Sequence, residues 1–356
     1  MRHLAPYVLG AGHDVTVYGR RSPLSAATSE DTVDGIRVRS TLAIERKSLS
    51  TLSIGMTATY DILAVHNYDV ALILNVANGY FMPLLRRAGI PACVNVDGIE
   101  WKRGKWGVLG KSTFYLGAWL TAYYAAELIA DSRALQPYWR DRFGRSSNFI
   151  PYGAHIRKRG SGIPLLRAHG LPTSGFVLAV ARVAPENNLD LLLDAVEIMR
   201  SSAEVIVVGS GNYGSATATR LRGLDNSGLI RWMGHINDPL LLDALWCNAG
   251  VYWHGHSVGG TNPALLQALG CGAPTVALDT EFNREVLRAS ENLVGSDPRR
   301  LAIRLTEVLS DHLLAERMSR RGHEIVDERY SWHTVCQDYL NLLVTTAAKA
   351  SSRHGR

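Results

Sequence analysis

Short apolar runs alternate along this chain with segments whose apolar residues recur every three or four positions. The first pattern fits strands buried on both faces. The second fits helices that pack one side against a sheet. In the first half, Asp14–Tyr18, Val70–Leu74, Ala92–Val96, Leu128–Ala130 and Asn148–Ile150 are the strand candidates. Lys111–Ala126 and Arg133–Phe143 carry the helical period, and Gly19 to Gly35 reads as a long polar loop. The alternation restarts in the second half. Phe176–Ala181, Val205–Val208, Leu229–Met233, Gly250–Trp253 and Pro274–Leu278 read as buried strands, with helices over Leu189–Met199 and Pro239–Cys247. Between the halves, His155 to Gly162 is basic and has no hydrophobic period, which marks it as part of a linker. The stretch from Ser331 through Leu343 is amphipathic, and Ala347–Arg356 is expected to fray.

This order predicts an α/β chain with two doubly wound sheets facing a cleft. The expected division is residues 1–155, residues 156–330, and a closing segment over 331–356. Met1 to Pro6 already reads as helix, whereas a doubly wound domain ordinarily opens with a strand and a glycine-rich turn. The first domain is therefore expected to lack that element, through a start codon placed downstream or a truncated gene.

Val251 to Asp279 is the most informative stretch. A short apolar strand leads into a loop rich in Gly, Ser, Thr and Asn, from His254 to Asn262. Asn262 suits an N-cap and Pro263 the first helical position. Leu265, Leu266 and Leu269 give the helix an apolar face, Gly270 and Gly272 end it, and a second apolar strand follows. Backbone N–H groups and the positive end of a helix then point at one spot, which suits a phosphate or diphosphate. An ordinary strand–turn–helix with glycines for packing has the same outline.

The residues of this loop resemble the donor-sugar signature of retaining GT-B glycosyltransferases. The resemblance is to a bacterial subset related to rhamnosyltransferases of polysaccharide assembly, which carries G-G-T-N-P-S-L-L-E-A-M there. Here the run is Gly259-Gly260-Thr261-Asn262-Pro263-Ala264-Leu265-Leu266-Gln267-Ala268-Leu269. Ala181-Arg182-Val183-Ala184-Pro185-Glu186-Asn187-Asn188 resembles the family's R-x-x-P-E-N-N turn, and Asp97 to Arg103 and Ile150 to Gly153 extend the likeness. It implies a GT-B fold of two Rossmann-like domains, the first N-terminally truncated where the family has G-T-R-G-x-P-A-x-Y-G-G-F-E. It also implies a donor site in the second domain, an acceptor site in the first, and a closing helix returning to the first.

Sugar transfer from a nucleoside diphosphate requires charge stabilisation on the leaving diphosphate. No D-x-D metal motif is present, so no cofactor and no metal is expected. Arg182 and the helix N-terminus at Gly260 to Asn262 are the candidates instead, since a guanidinium forks onto two phosphate oxygens. Related enzymes usually carry a Lys five residues after that Arg, and here Asn187 stands there. The common two-glutamate signature is also altered, to Gly259 and Gln267. Gln267 still offers a donor and an acceptor to a ribose hydroxyl, without charge. Gly209 and Gly211 end one strand and permit close approach of a ligand. His235 ends another, where relatives hold the base through backbone groups, and His254 and His256 lie in the loop itself. On the acceptor side, Asp97 and Glu100 follow a strand whose carboxyl end faces the expected cleft. The resemblance implies that the leaving phosphate takes the acceptor proton, so no strong protein base is required.

Composition narrows the partners. The chain has 356 residues with net charge +6, and 46% of its residues are hydrophobic and 20% charged, which describes a folded protein of two ordinary domains. The four cysteines form no C-x-x-C pair and read as core thiols of a reducing compartment, so a cytoplasmic location is expected. No apolar run is long enough to span a bilayer, and no signal peptide is visible. No zinc-finger spacing or aromatic RNA-binding motif accompanies the positive charge, which leaves nucleic acid the weakest partner. Trp101, Lys102, Arg103, Lys105, Trp106 and Lys111 mix basic and aromatic residues as an anionic bilayer surface or a lipid diphosphate favours; an exposed loop has the same composition. The reading is a hexosyltransferase, with rhamnose as the sugar the subset points to. It would act on a sugar or polyprenyl-diphosphate-linked acceptor at the inner face of the membrane. An inactive nucleotide-sugar-binding remnant and a nucleotide-sugar epimerase of the same shape are the alternatives.

Overall fold

The computed structural model describes residues 1–20, 30–41, 49–65, 67–96, 98–102, 107–200, 203–211 and 214–354. The chain divides into two compact units. One comprises Met1–Pro151 with His333–Arg356, and the other Tyr152–Trp332.

The first unit runs α1 (Leu4–Gly10), β1 (Thr16–Arg20), β2 (Glu30–Val33), β3 (Ile36–Thr41), α2 (Leu49–Val65), β4 (Ala71–Leu74), α3 (Met82–Arg87), β5 (Ala92–Asn95), α4 (Val108–Tyr124), β6 (Glu127–Ala130), α5 (Leu135–Phe143) and β7 (Asn148–Phe149). Strands β4-β5-β6-β7 form a parallel sheet in sequence order. A second sheet has the order β1-β3-β2, with β1 parallel and β2 antiparallel to β3. The described part of the stretch expected to be a polar loop is therefore different: Gly19 and Arg20 continue β1, and Glu30–Val33 is a strand. Described residues of β2 are exposed, so their pairing left no hydrophobic trace. Asp34 and Gly35, at φ 51° and 80°, make the two-residue turn into β3. An Asp-Gly pair is the local signal for such a hairpin.

The second unit runs α6 (Ile163–Ala168), β8 (Val177–Val180), α7 (Leu189–Met199), β9 (Val205–Val208), α8 (Ala216–Asn226), β10 (Arg231–Gly234), α9 (Pro239–Asn248), β11 (Val251–His254), α10 (Pro263–Gly270), β12 (Thr275–Leu278), α11 (Glu281–Leu287), β13 (Leu293–Val294), α12 (Pro298–Ser310) and α13 (His312–Arg329). Its six strands are parallel in the order β10-β9-β8-β11-β12-β13. Alternate residues of one strand feed opposite cores. Val177, Val205, Val207, Val251 and Trp253 pack with α7, α8 and α12; Leu178, Ile206, Val208 and Tyr252 pack with α6, α9 and α10. Burial on both faces is why these strands read as continuous apolar runs. His155 to Gly162, read as linker, lies in this unit. Arg157 N–H donates to Gly270 O at 2.8 Å and Gly160 N–H to Cys247 O at 3.0 Å, which ties it to the ends of α10 and α9.

The last helix, α14, runs Trp332–His354, so Ala347 to His354 is helical where fraying was expected. The first unit holds it: Asn95 Nδ2 donates to Tyr339 Oη at 2.8 Å, and Cys93 Sγ meets Thr346 Oγ1 at 3.5 Å. Within the same unit a 3₁₀ turn, Val76–Phe81, crosses α4 at two glycines. A Cβ at Gly79 would overlap the carbonyl oxygen of Gly117, and one at Gly117 would lie 2.6 Å from Val76 O. The contact is backbone against backbone and cannot relax by a rotamer change. Gly79→Ala is therefore expected to destabilise the first unit by about 1–3 kcal/mol, the usual cost of overpacking. Thermal denaturation checks this, and an unchanged midpoint would show that the crossing tolerates a methyl group.

Candidate functional site

After β8 the chain builds β9 and β10 on one side, then returns to place β11 on the other side of β8. The carboxyl ends of β8 and β11 are thus a topological switch point, where parallel sheets leave a crevice for ligands. A crevice of about 190 Å³ lies there, and Arg182, Asn187, His254, His256 and Asn262 are among its lining residues.

Two loops make its walls, and hydrogen bonds sew them together. Asn187 is buried; its Nδ2 donates to Arg182 O at 2.8 Å and its Oδ1 meets His256 Nδ1 at 2.7 Å. The amide oxygen accepts, so Nδ1 of His256 carries a proton. Asn188 adopts left-handed backbone, φ 47°, and its Nδ2 donates to Gly255 O at 2.8 Å. Ser257 N–H donates to Glu186 O at 2.9 Å, and Ser257 Oγ does so at 3.0 Å. Asn187 therefore holds the scaffold at the position where a second cation was sought. Asn283 on α11 adds a support that the sequence did not reveal: it is buried and donates to His256 O at 3.1 Å and Leu278 O at 2.8 Å. Nothing local marks it, because an Asn inside a short helix ordinarily faces water.

Arg182 projects from the first loop, largely exposed, with Glu186 at 3.8 Å. That separation is a loose ion pair, and the guanidinium can turn to another anion. Across the crevice Asn262 caps α10, its Oδ1 accepting from Ala264 N–H at 2.9 Å. Pro263 has no N–H, and Leu265 N–H reaches Asn262 O at 3.1 Å, so the first turn of the helix keeps few donors of its own. The available donors lie one step earlier. The N–H groups of Gly259 and Gly260 donate to no described residue, and both glycines are buried. Gly259 has φ 102°, which a side chain would strain. Thr261 beside them is also buried.

Other candidates fall elsewhere. Gln267 is exposed on α10 and does not line the crevice. Gly209 and Gly211 follow β9, and a Cβ on them would meet Ala181 O and Val183 O respectively. Their smallness is consumed by the backbone of the neighbouring loop. His235 is exposed just beyond β10. In the first unit Glu100 is buried in a 3₁₀ turn, Glu100–Lys102. Trp101 donates from Nε1 to Tyr138 Oη at 3.2 Å and is half-buried in an aromatic cluster with Tyr115, Tyr138, Trp139 and Phe143. Asp97, Arg103, Lys105 and Trp106 lie outside the described residues, as does the side chain of Lys102.

Residues 175–311 match the family described as Glycosyl transferases group 1, a stretch that includes β8 through α12 and the whole crevice. The chain is similar to a GDP-mannose-dependent monoacylated alpha-(1-6)-phosphatidylinositol monomannoside mannosyltransferase of Corynebacterium glutamicum, 26% identical over 224 residues, 58% of this chain and 58% of that protein. It is also similar to a phosphatidyl-myo-inositol mannosyltransferase of Mycobacterium leprae, 29% identical over 233 residues, 63% of this chain and 60% of that protein. The chain thus spans less than two thirds of the length of these relatives. Among solved structures, sucrose-phosphate synthase of Thermosynechococcus elongatus superposes with TM-score 0.82 at 18% identity, covering 98% of this chain and 92% of that one. HepE of Anabaena, in complex with UDP and glucose, gives 0.73 at 18% identity, covering 87% and 86%. The fold is GT-B, with two Rossmann-like units.

His254 completes the crevice lining. It is buried, its Nδ1 is 3.2 Å from Tyr252 Oη, and its Nε2 has no hydrogen-bond partner among the described residues. Burial, and secondarily the nearby His256, push its basicity from 6.5 down to about 3. The unfolded chain therefore binds a proton between those values that the native chain refuses. This contribution to stability is full above about pH 6.5 and is lost as pH falls toward 3. His254→Gln should lessen the acid sensitivity of the unfolding free energy from urea titrations across that window, by on the order of 1 kcal/mol per pH unit. Parallel wild-type and variant profiles would refute the assignment. Asn187→Ala removes the tie to His256 and the bond to Arg182 O, and should cost about 1–3 kcal/mol of stability. Calorimetric affinity for nucleoside diphosphates should fall with it; an unchanged affinity would separate the loop ties from the site.

Proposed function

We propose that this chain is a retaining hexosyltransferase that takes a sugar from a nucleoside diphosphate and delivers it to a sugar or lipid-linked acceptor in cell-surface glycan assembly. The observation that carries the reading is the crevice at the switch point, which Arg182, His256 and Asn262, the cap of α10, line together. Fixed donors and a mobile guanidinium around one small space suit a diphosphate. The match of residues 175–311 to a glycosyltransferase family supports it, as do the activities of the mannosyltransferase relatives.

In this reading the bond between the sugar's anomeric carbon and the diphosphate oxygen breaks, and charge grows on the leaving phosphate. Arg182 and the loop N–H groups stabilise that charge. The acceptor hydroxyl forms the new glycosidic bond on the same face, and its proton passes to the leaving phosphate. Asn187 and His256 hold the donor loops in register. Asp97 and Glu100 are the acceptor-side candidates, and Gln267 the ribose candidate. The sugar is a hexose; the Gly259–Pro263 run favours rhamnose, while the names of the relatives include mannosyltransferases. Phosphatidylinositol in those names supports a lipid acceptor, met at the cytoplasmic face of a membrane. Among the described residues no helix is long and apolar enough to cross one.

Release of nucleoside diphosphate from GDP-mannose, UDP-glucose and dTDP-rhamnose, each with a lipid-extract acceptor, identifies the donor. Arg182→Ala should then lower the rate by on the order of 10² to 10³, the usual loss of one fixed charge-stabilising group. Because Arg182 and the loop carry the charge, EDTA should change the rate little. A wild-type rate in the variant, or strong EDTA inhibition reversed by Mg²⁺, would contradict this mechanism.

A further inference from the structure

Helix α4 turns Gly117, Ala118, Thr121 and Ala122 into the first unit, where they are buried. Its opposite side carries Leu109, Leu116, Trp119 and Tyr123, spaced as one stripe of a helix, and all four are exposed, from 49% to 83%. Trp119 and Tyr123 stack with rings 4° from parallel, and Tyr123 meets Tyr124 edge-on at 4.8 Å. The guanidinium of Arg86, on α3, lies 5.9 Å from the Tyr124 ring centre. The exposed stripe therefore continues from α4 onto α3, where Leu84, Arg86 and Arg87 are exposed. Monomeric proteins rarely leave such a connected apolar surface to water without a use for it.

Charge selects the occupant. Helices α3 and α4 contain Arg86, Arg87 and Lys111 and no acidic residue, and none of these three has a salt-bridge partner among the described residues. Trp and Tyr at the centre with Arg and Lys around them is the pattern of a surface that sits at the headgroup level of an anionic bilayer. We infer that the α3–α4 face, with Leu116, Trp119 and Tyr123 as its apolar centre and Arg86, Arg87 and Lys111 as its basic rim, docks the protein on an anionic lipid surface. Its purpose, bringing the enzyme to a bilayer-held acceptor, rests on the proposed function; the surface itself does not. This site differs from the stretch Trp101 to Trp106, since Trp101 packs in a separate aromatic cluster with Tyr138 and Trp139.

The test uses the full chain and vesicles of phosphatidylcholine with or without phosphatidylglycerol. The wild type should sediment with the anionic vesicles, leave the neutral ones, and be released by salt. Replacing Arg86, Arg87 and Lys111 with Gln should lower partitioning about fivefold per residue. Trp119→Ala with Tyr123→Ala should lower it at least about tenfold, given the area those rings would otherwise bury. Both are exposed, so the variant should keep its melting temperature. Tryptophan quenching by brominated acyl chains should be present in the wild type and largely lost in Trp119→Phe. A wild type that ignores anionic vesicles overturns the inference, as does unchanged partitioning in the aromatic variant. A dimer in sedimentation velocity that the aromatic variant dissolves, without vesicle binding, makes the face a self-association surface and overturns it too. Nucleotide affinity measured on the same proteins separates the two proposals. Vesicle binding without any nucleotide binding would sink the transferase reading and leave the lipid face standing.

Discussion

The hydrogen-bonded seam between the loop after β8 and the loop after β11 is the constraint on which the site depends. The two loops meet only because β11 returns to the far side of β8. Left alone, each would be an irregular segment with several polar backbone groups to satisfy. Asn187, Asn188 and Ser257 satisfy them against one another, so two entropy-rich loops become one wall. The groups assigned to the leaving diphosphate flank this seam. Arg182 hangs from one side of it, and Gly259, Gly260 and the cap of α10 from the other.

The seam also explains the small residues around it. Gly255 lies where a Cβ would run into Asn187 O, and Gly209 and Gly211 lie against the backbone of Ala181 to Val183. Three glycines that could be credited to ligand contact are thus required by packing of protein on protein. Gly259 and Gly260 are different, because their N–H groups have no acceptor among the described residues. A buried donor without an acceptor is costly unless something arrives to accept it.

The first unit shows a division of its aromatic residues by role. Trp101, Tyr138, Trp139 and Phe143 close on one another and hold the segment after β5. Trp119 and Tyr123 stack with each other in the open, on a helix whose inner face is reduced to Gly, Ala and Thr by the backbone crossing at Gly79 and Gly117. Small residues inside and large ones outside invert the usual pattern of a surface helix. That inversion gives the α3–α4 face its meaning: the apolar side has been turned toward whatever lies beyond the protein.

Much of the second unit was legible in the residues alone. Strands buried on both faces print themselves as apolar runs, and Asn262-Pro263 caps a helix by local chemistry that needs no distant partner. The first unit was less legible. Strand β2 is polar and exposed, held by backbone pairing with β3, and α2 is rich in Ser and Thr, so neither left a hydrophobic period. Site residues divide in the same way. The sequence by itself determined the loop types and the presence of Arg182, His256 and the glycines at strand ends, because each follows from local pattern and spacing. Only the tertiary structure decided that Asn187 is a scaffold, that Gln267 faces water, that Trp101 joins an aromatic cluster, and that Asn283 supports the loop that carries His256. Those roles depend on which segments, tens of residues apart, share the carboxyl ends of two neighbouring strands, and strand order is set by packing over the whole sheet.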